Sequence, residues 1–230
     1  MASRLVAATR SRRRLGSAER RKRFGVLLVA LVAVFALEGI SEPGPWQQAI
    51  SSALLAVTLV LSLAVAEVRP SVLRPVAVLT LALALAAIVD AAGGDGAGRA
   101  AIASNLVFVT IAPPAVAVGT LRVMRQRNQV TIEAVFGVLC LYLLLGLFFA
   151  FLYALVAKLN GGLFFASHQT ATAARCVYFS FTTLTTVGYG DLTAITNLGH
   201  TMSVSEALVG QIYLVTIVSL IVGNLGRRPV

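Results

Sequence analysis

The stretch Thr185-Thr186-Val187-Gly188-Tyr189-Gly190-Asp191 decides how the rest of this 230-residue chain is read. Two glycines, Gly188 and Gly190, stand at alternate positions in it. Carbonyls of successive residues can aim at one axis only if the backbone alternates between conformations of opposite hand, which glycine tolerates freely. Immediately upstream runs the apolar segment Ala173–Leu184. At ~1.5 Å per residue it is too short to cross a hydrocarbon core of ~30 Å. A helix that goes only part way must return to the side it entered, and its non-helical return must be buried in protein or line water. The quoted stretch is that return.

Longer apolar runs lie on either side: Ile132–Ala157 before it and Thr201–Val222 after it. Four more precede them, at Phe24–Ile40, Ala49–Ala66, Pro75–Val89 and Ala100–Leu121. Most approach the ~20 residues that a helical membrane crossing needs. The breaks carry helix-ending or charged residues: Glu42-Pro43-Gly44-Pro45, Glu67-Val68-Arg69-Pro70, Gly93-Gly94-Asp95-Gly96, and the basic run from Arg122 to Asn128. Composition agrees. The chain is 58% hydrophobic and 12% charged, whereas soluble domains carry about 25% charge.

The net charge of +10 invites a nucleic-acid reading, but its distribution argues otherwise. Nine of the nineteen Lys and Arg residues fall within the first 23 positions, from Arg4 to Arg23, with no interleaved aromatics for base stacking. A basic stretch beside an apolar span is expected to meet anionic lipid headgroups. The run from Phe24 to Ile40 exceeds a signal-peptide core and no A-x-A site follows it, so it is read as a span. With the N-terminus inside, only Arg99, Lys158 and Arg175 fall on outer segments. That positive-inside bias places both termini in the cytoplasm and opens the half-helix and its return to the outside. A multi-pass protein of the plasma membrane is expected.

The letters TTVGYG over Thr185–Gly190, set after a half-helix and between two spans, resemble the selectivity filter of the potassium channel family. The resemblance covers roughly the last hundred residues. It implies an all-α membrane protein with six transmembrane helices, a re-entrant pore helix and a filter loop. The implied parts are a basic tail at 1–23, a four-helix region at 24–128 and a pore domain at 129–230. Within the pore domain they are an outer helix at 132–157, a pore helix at 172–184, a filter at 185–190 and an inner helix at 201–222. It further implies that Thr186 offers its hydroxyl, and Val187, Gly188 and Tyr189 their carbonyls, to potassium ions. The side chains of Val187 and Tyr189 would pack behind the filter. One chain supplies one wall, so a homotetramer with a central pore is expected. No cofactor is implied beyond potassium ions in the filter.

Around the filter, Asp191, Tyr178 and Thr182 are the expected supports. Thr182 stands where some bacterial members have Glu, and Tyr178-Phe179 where many have Trp-Trp, so the bracing behind the filter departs from the family pattern. The Thr182 and Thr183 hydroxyls equally suit satisfying nearby backbone groups. Gly210 falls at the family's hinge position on the inner helix, and close helix packing is the alternative reading. Leu214, Val218 and Val222 recur every four residues and suit a pore-facing stripe. Glu206, an acid within an apolar helix, is expected to make a structural bond near the outer mouth.

Six spans with a pore between the last two raise the question of voltage sensing, which requires charge that moves through the field. Ile102–Thr120 holds no Lys or Arg and is expected to be interrupted at Pro113-Pro114, so the channel is not expected to be voltage-gated. Arg122 and Arg125 read as anchors at the cytoplasmic edge. Cys140 and Cys176 lie far apart in apolar surroundings, which suits buried free thiols. His168 and His200 have no spacing suited to a metal or a nucleophile, and no enzyme is expected.

Overall fold

The apolar runs become helices, and each begins or ends where Pro, Gly or a hydroxyl-bearing residue dictates. A computed structural model of the protein describes residues 2–40, 44–66, 76, 78–80, 82, 85, 99–127, 132–167 and 169–225. Helix α1 spans Ala2–Ile40 and α2 Pro45–Val65, with proline in the first turn of α2, where its missing N–H costs nothing. Helix α3 spans Arg99–Arg127, α4 Ile132–Leu159, α5 Ala173–Leu184 and α6 Asn197–Leu225. The described positions within the expected span Pro75–Val89 are 76, 78–80, 82 and 85, all helical, and the limits of that span lie outside the described residues. Among the described residues, three stretches are long and apolar enough to cross a membrane, Arg21–Ile40, Asn105–Arg122 and Ile132–Leu159, with Ala49–Val65 a shorter apolar helix. The protein is therefore read as a membrane protein.

Two expectations change. The basic N-terminal stretch is helical from Ala2 and continuous with the first span. An i,i+4 ion pair of 2.8 Å between Arg23 and Glu19 supports it at the junction. The prolines at 113 and 114 do not interrupt α3, which runs through both. Proline removes a backbone hydrogen bond but is tolerated in a membrane helix held by its neighbours. Here Ala112, Ala115 and Val116 are buried beside the prolines.

Helix α4 sits at the centre, packed against α1, α3 and α5, while α2 covers α1 and α3. Only residues 128–131 separate α3 from α4, so these two neighbours pack as an antiparallel hairpin. The N-terminal helices thus lie against the C-terminal half of their own chain. Phe24, Leu27, Leu31 and Val34 form the buried stripe of α1. Next to Val34 in sequence, the Phe35 ring meets Phe181 of α5 edge-to-face at 4.7 Å. Phe181 in turn fills the space beside Gly146 of α4, where a Cβ would lie 2.5 Å from its ring.

Polar contacts join the same helices. At the C-terminal end of α1, the buried Glu38 carboxylate accepts from Gln47 Nε2 at 2.9 Å and from Ser51 Oγ, and Asn105 of α3 donates to Ser51 Oγ at 3.3 Å. At the opposite end of α2, Arg122 of α3 donates to the Ala66 carbonyl. Arg122 is therefore a clamp on the negative end of α2 and not merely an anchor. Cys140 and Cys176 are buried and free.

Candidate functional site

The site is built on α5. The Thr172 side chain caps the helix by accepting from the Arg175 amide at 3.3 Å. Its inner side is buried through Cys176, Val177, Phe179, Ser180 and Leu184. Phe179 belongs to an aromatic cluster, 5.2 Å from Tyr153 and 5.4 Å from Phe165. This explains a position that sequence reading left without a role: Phe179 fixes the helix to α4 and to the segment after it. The register of that segment against the chain beyond the site is set by the bridge between Phe165 and Ala194, with Ala166 N donating to Thr193 O at 2.8 Å and Ile195 N to Phe164 O at 2.9 Å.

After Leu184 the chain does not wander; its amides turn back to the end of the helix. Thr185 N donates to Phe181 O at 3.0 Å, Thr186 N to Thr183 O at 2.9 Å, Val187 N to Thr182 O at 2.9 Å and Gly188 N to Thr182 O at 3.1 Å. The end carbonyls of Phe181, Thr182 and Thr183, which a helix leaves without partners, are in this way occupied by the strand itself, while Leu184 O accepts from the Tyr142 hydroxyl at 3.4 Å. The strand's carbonyls from Thr186 to Gly190 receive no hydrogen bond among the described residues. Three of its residues have positive φ: Thr186 at 59°, Gly188 at 52° and Gly190 at 81°. The alternation expected at the glycines is present and starts one step earlier than they do. A β-branched residue in this region is strained by about 1–3 kcal/mol and persists only where its surroundings hold it. For Thr186, two neighbouring amide bonds do so.

The supporting residues come together at the outer end of the strand. Tyr178 stacks on Tyr189 with ring centroids 6.2 Å apart and planes inclined by 6°. At the same end Tyr178 lies beside Asp191. Both residues line a crevice of about 480 Å³ that also meets Arg175 and, from the end of α1, Gly39. Val187 and Tyr189 are exposed on the single chain. Thr182 contributes its carbonyl to the strand, while its hydroxyl donates to Phe179 O at 3.0 Å. The backbone-satisfying reading of that hydroxyl is the one seen.

Helix α6 begins at Asn197, four residues before the expected start, because the Thr196 hydroxyl accepts from the Gly199 amide at 3.0 Å. It runs unbroken through Gly210, where a Cβ would lie 2.5 Å from the Leu184 carbonyl. This is the close-packing geometry. Leu214 is exposed on the single chain, and the side chains of Val218 and Val222 lie outside the described residues. His168 also lies outside them, and His200 bonds the Ala194 carbonyl at 2.7 Å. Glu206 makes the structural bond expected of it, with partners that sequence reading did not name. The Tyr153 hydroxyl of α4 lies 2.6 Å from it and the Ser180 hydroxyl of α5 2.5 Å. A lone acid in an apolar helix was the only available signal; its partners are 53 and 26 residues away.

A family model described as an ion channel matches residues 137–226, from the first turns of α4 to just past the end of α6. This part of the chain is an ion-channel domain. No curated protein and no solved structure matches the chain.

Proposed function

We propose that the chain is the subunit of a homotetrameric, potassium-selective channel that conducts ions passively and is not gated by voltage. In this reading Thr185–Gly190 form the filter, with potassium ions held at Thr186, Val187, Gly188 and Tyr189. Asp191, Tyr178 and Thr182 support it, and Gly210, Leu214, Val218 and Val222 belong to the inner pore. One observation carries the reading: amides of residues 185–188 return to the end of α5 while φ is positive at Thr186, Gly188 and Gly190. A strand so tied has its carbonyls left over, and left-over carbonyls in a ring are what replace the hydration shell of a potassium ion. Four chains are required because one strand is one wall. The exposed Val187 and Tyr189 of the single chain would then be covered by neighbouring copies.

The membrane orientation in this reading has both termini in the cytoplasm, six spans and the basic start of α1 at an anionic lipid surface. Purified chain, reconstituted alone into a planar bilayer, tests the function. Potassium current from a species with the mass of four chains is the expected result. Silence from such a species, with current restored only by another subunit, would make this a non-conducting partner instead.

A further inference from the structure

Glu206 sits where α4, α5 and α6 meet, and its surroundings can be counted hydrogen by hydrogen. Ser180 Oγ lies 2.7 Å from the Gly146 carbonyl and 2.5 Å from Glu206 Oε1, and Tyr153 Oη lies 2.6 Å from Glu206 Oε2. These are three short oxygen–oxygen contacts. The two hydroxyls supply only two hydrogens, and a carbonyl and a carboxylate supply none. With an ionised Glu206, one contact would set lone pair against lone pair in a dry site, since Glu206 and Ser180 are both fully buried. A third hydrogen on Glu206 satisfies every contact: Glu206 donates to Ser180 Oγ, Ser180 to Gly146 O, and Tyr153 to the remaining carboxyl oxygen.

The charged neighbourhood offers no alternative. From α4 the titratable groups near Glu206 are Tyr142 and Tyr153, and from α5 Cys176 lies near Tyr153; the Ser203 hydroxyl of α6 donates to the Gly199 carbonyl at 2.8 Å. His200, on the same helix, is engaged with the Ala194 carbonyl. No Lys or Arg reaches the carboxyl among the described residues. A buried carboxylate without a cation is far costlier than the neutral acid.

We propose that Glu206 is a neutral carboxylic acid whose proton latches α6 to the helix that carries the filter, which makes it a positioning residue for the strand at 185–190. The latch has two rungs. Glu206 meets Ser180, and one turn on Gly210 meets the Leu184 carbonyl. Between those rungs lie Thr182 and Thr183, whose carbonyls hold the strand's amides. Loss of the proton removes the donor to Ser180, leaves a charge in the dry interface and loosens the first rung.

The functional consequence rests on the reading of 185–190 as a filter, but the proton itself can be tested without it. The experiment is an infrared difference spectrum of the purified full chain, wild type minus Glu206→Gln, together with thermal midpoints across neutral to alkaline pH. The carboxamide of Gln keeps an N–H toward Ser180 and an oxygen toward Tyr153, and it cannot ionise. The expected result is a neutral-acid carbonyl band that Glu206→Gln removes, and a wild-type midpoint that falls with alkali while that of Glu206→Gln stays flat. In bilayers, the wild-type ratio of open to closed channels is expected to fall by up to about tenfold per pH unit per latch, the limit for one proton, with Glu206→Gln insensitive. An ionised-carboxylate band at neutral pH, or alkaline profiles that coincide in the two proteins, would overturn the proposal. If Glu206→Gln fails to fold, a wild-type midpoint unchanged by alkali overturns it as well. A chain that shows the band but never conducts refutes the filter reading and leaves the proton in place.

Discussion

At Thr186 the backbone adopts a φ of 59°, and at Gly188 and Gly190 the values are 52° and 81°. Glycine has no Cβ to oppose this hand, whereas any L-residue pays roughly 1–2 kcal/mol there. Neither glycine has an atom within 4 Å of where a Cβ would sit on the single chain, so backbone strain, not crowding, decides the outcome. In the proposed ring of four chains the strain of Gly188→Ala or Gly190→Ala is incurred four times. It falls on a local strand that can relieve it by flipping carbonyls, while the helices keep their own hydrogen bonds. Each variant is expected to assemble at near wild-type yield and to lose potassium selectivity, as read by tetramer recovery alongside potassium and sodium flux. Wild-type selectivity in an assembled Gly188→Ala protein would show that the filter lies elsewhere. The alternation at the glycines was legible in the sequence from their spacing. That Thr186 shares it was not, because nothing in a threonine's identity signals positive φ; the amide bonds from Thr186 and Val187 to Thr183 and Thr182 impose it.

Helices and their register follow from how small residues admit large ones. Gly146 leaves room for Phe181, and Phe181 in turn presents its ring to Phe35 of α1. A methyl at 146 would stand 2.5 Å from that ring, so Gly146→Ala is expected to lower stability by about 1–3 kcal/mol through overpacking. Phe181→Leu in the same chain should recover part of that loss. A double-mutant cycle by thermal unfolding in detergent reads the coupling, and strictly additive losses would mean the two residues do not compete for one space. Helix α5 begins one residue after the 172–184 expected of it, because Thr172 serves as its cap and not as its first residue. Helix α6 starts earlier than its apolar run because Thr196 caps it, and α3 survives two prolines because burial on one side holds it. The hydrogen-bond partners of Glu206 and Glu38 were beyond reach. Hydrophobic periodicity places an acid on a helix, but it does not say which distant hydroxyl will face it.

For the whole molecule, the decisive features are where charge is absent and how the halves pack. Helix α3 carries no Lys or Arg from Ile102 to Thr120, and Arg122 is held by the Ala66 carbonyl at the end of α2. A charge clamped at a helix end does not travel through the field, so opening should respond only weakly to voltage. Conductance–voltage curves from bilayers check this. A steepness equivalent to several elementary charges, each gaining about 2.3 kcal/mol per 100 mV, would contradict it. Helices α1 and α3 lie against α4 of their own chain, and α1 also reaches α5 through Phe35 and Phe181. The central claim, that the strand at 185–190 lines a potassium-selective pore, is tested most directly by a reversal potential. Purified chain in a bilayer, with potassium on one side partly replaced by sodium on the other, should reverse close to the potassium equilibrium potential, shifting by about 59 mV for each tenfold change in the potassium ratio. A reversal potential that stays near zero as potassium is exchanged for sodium would contradict the account.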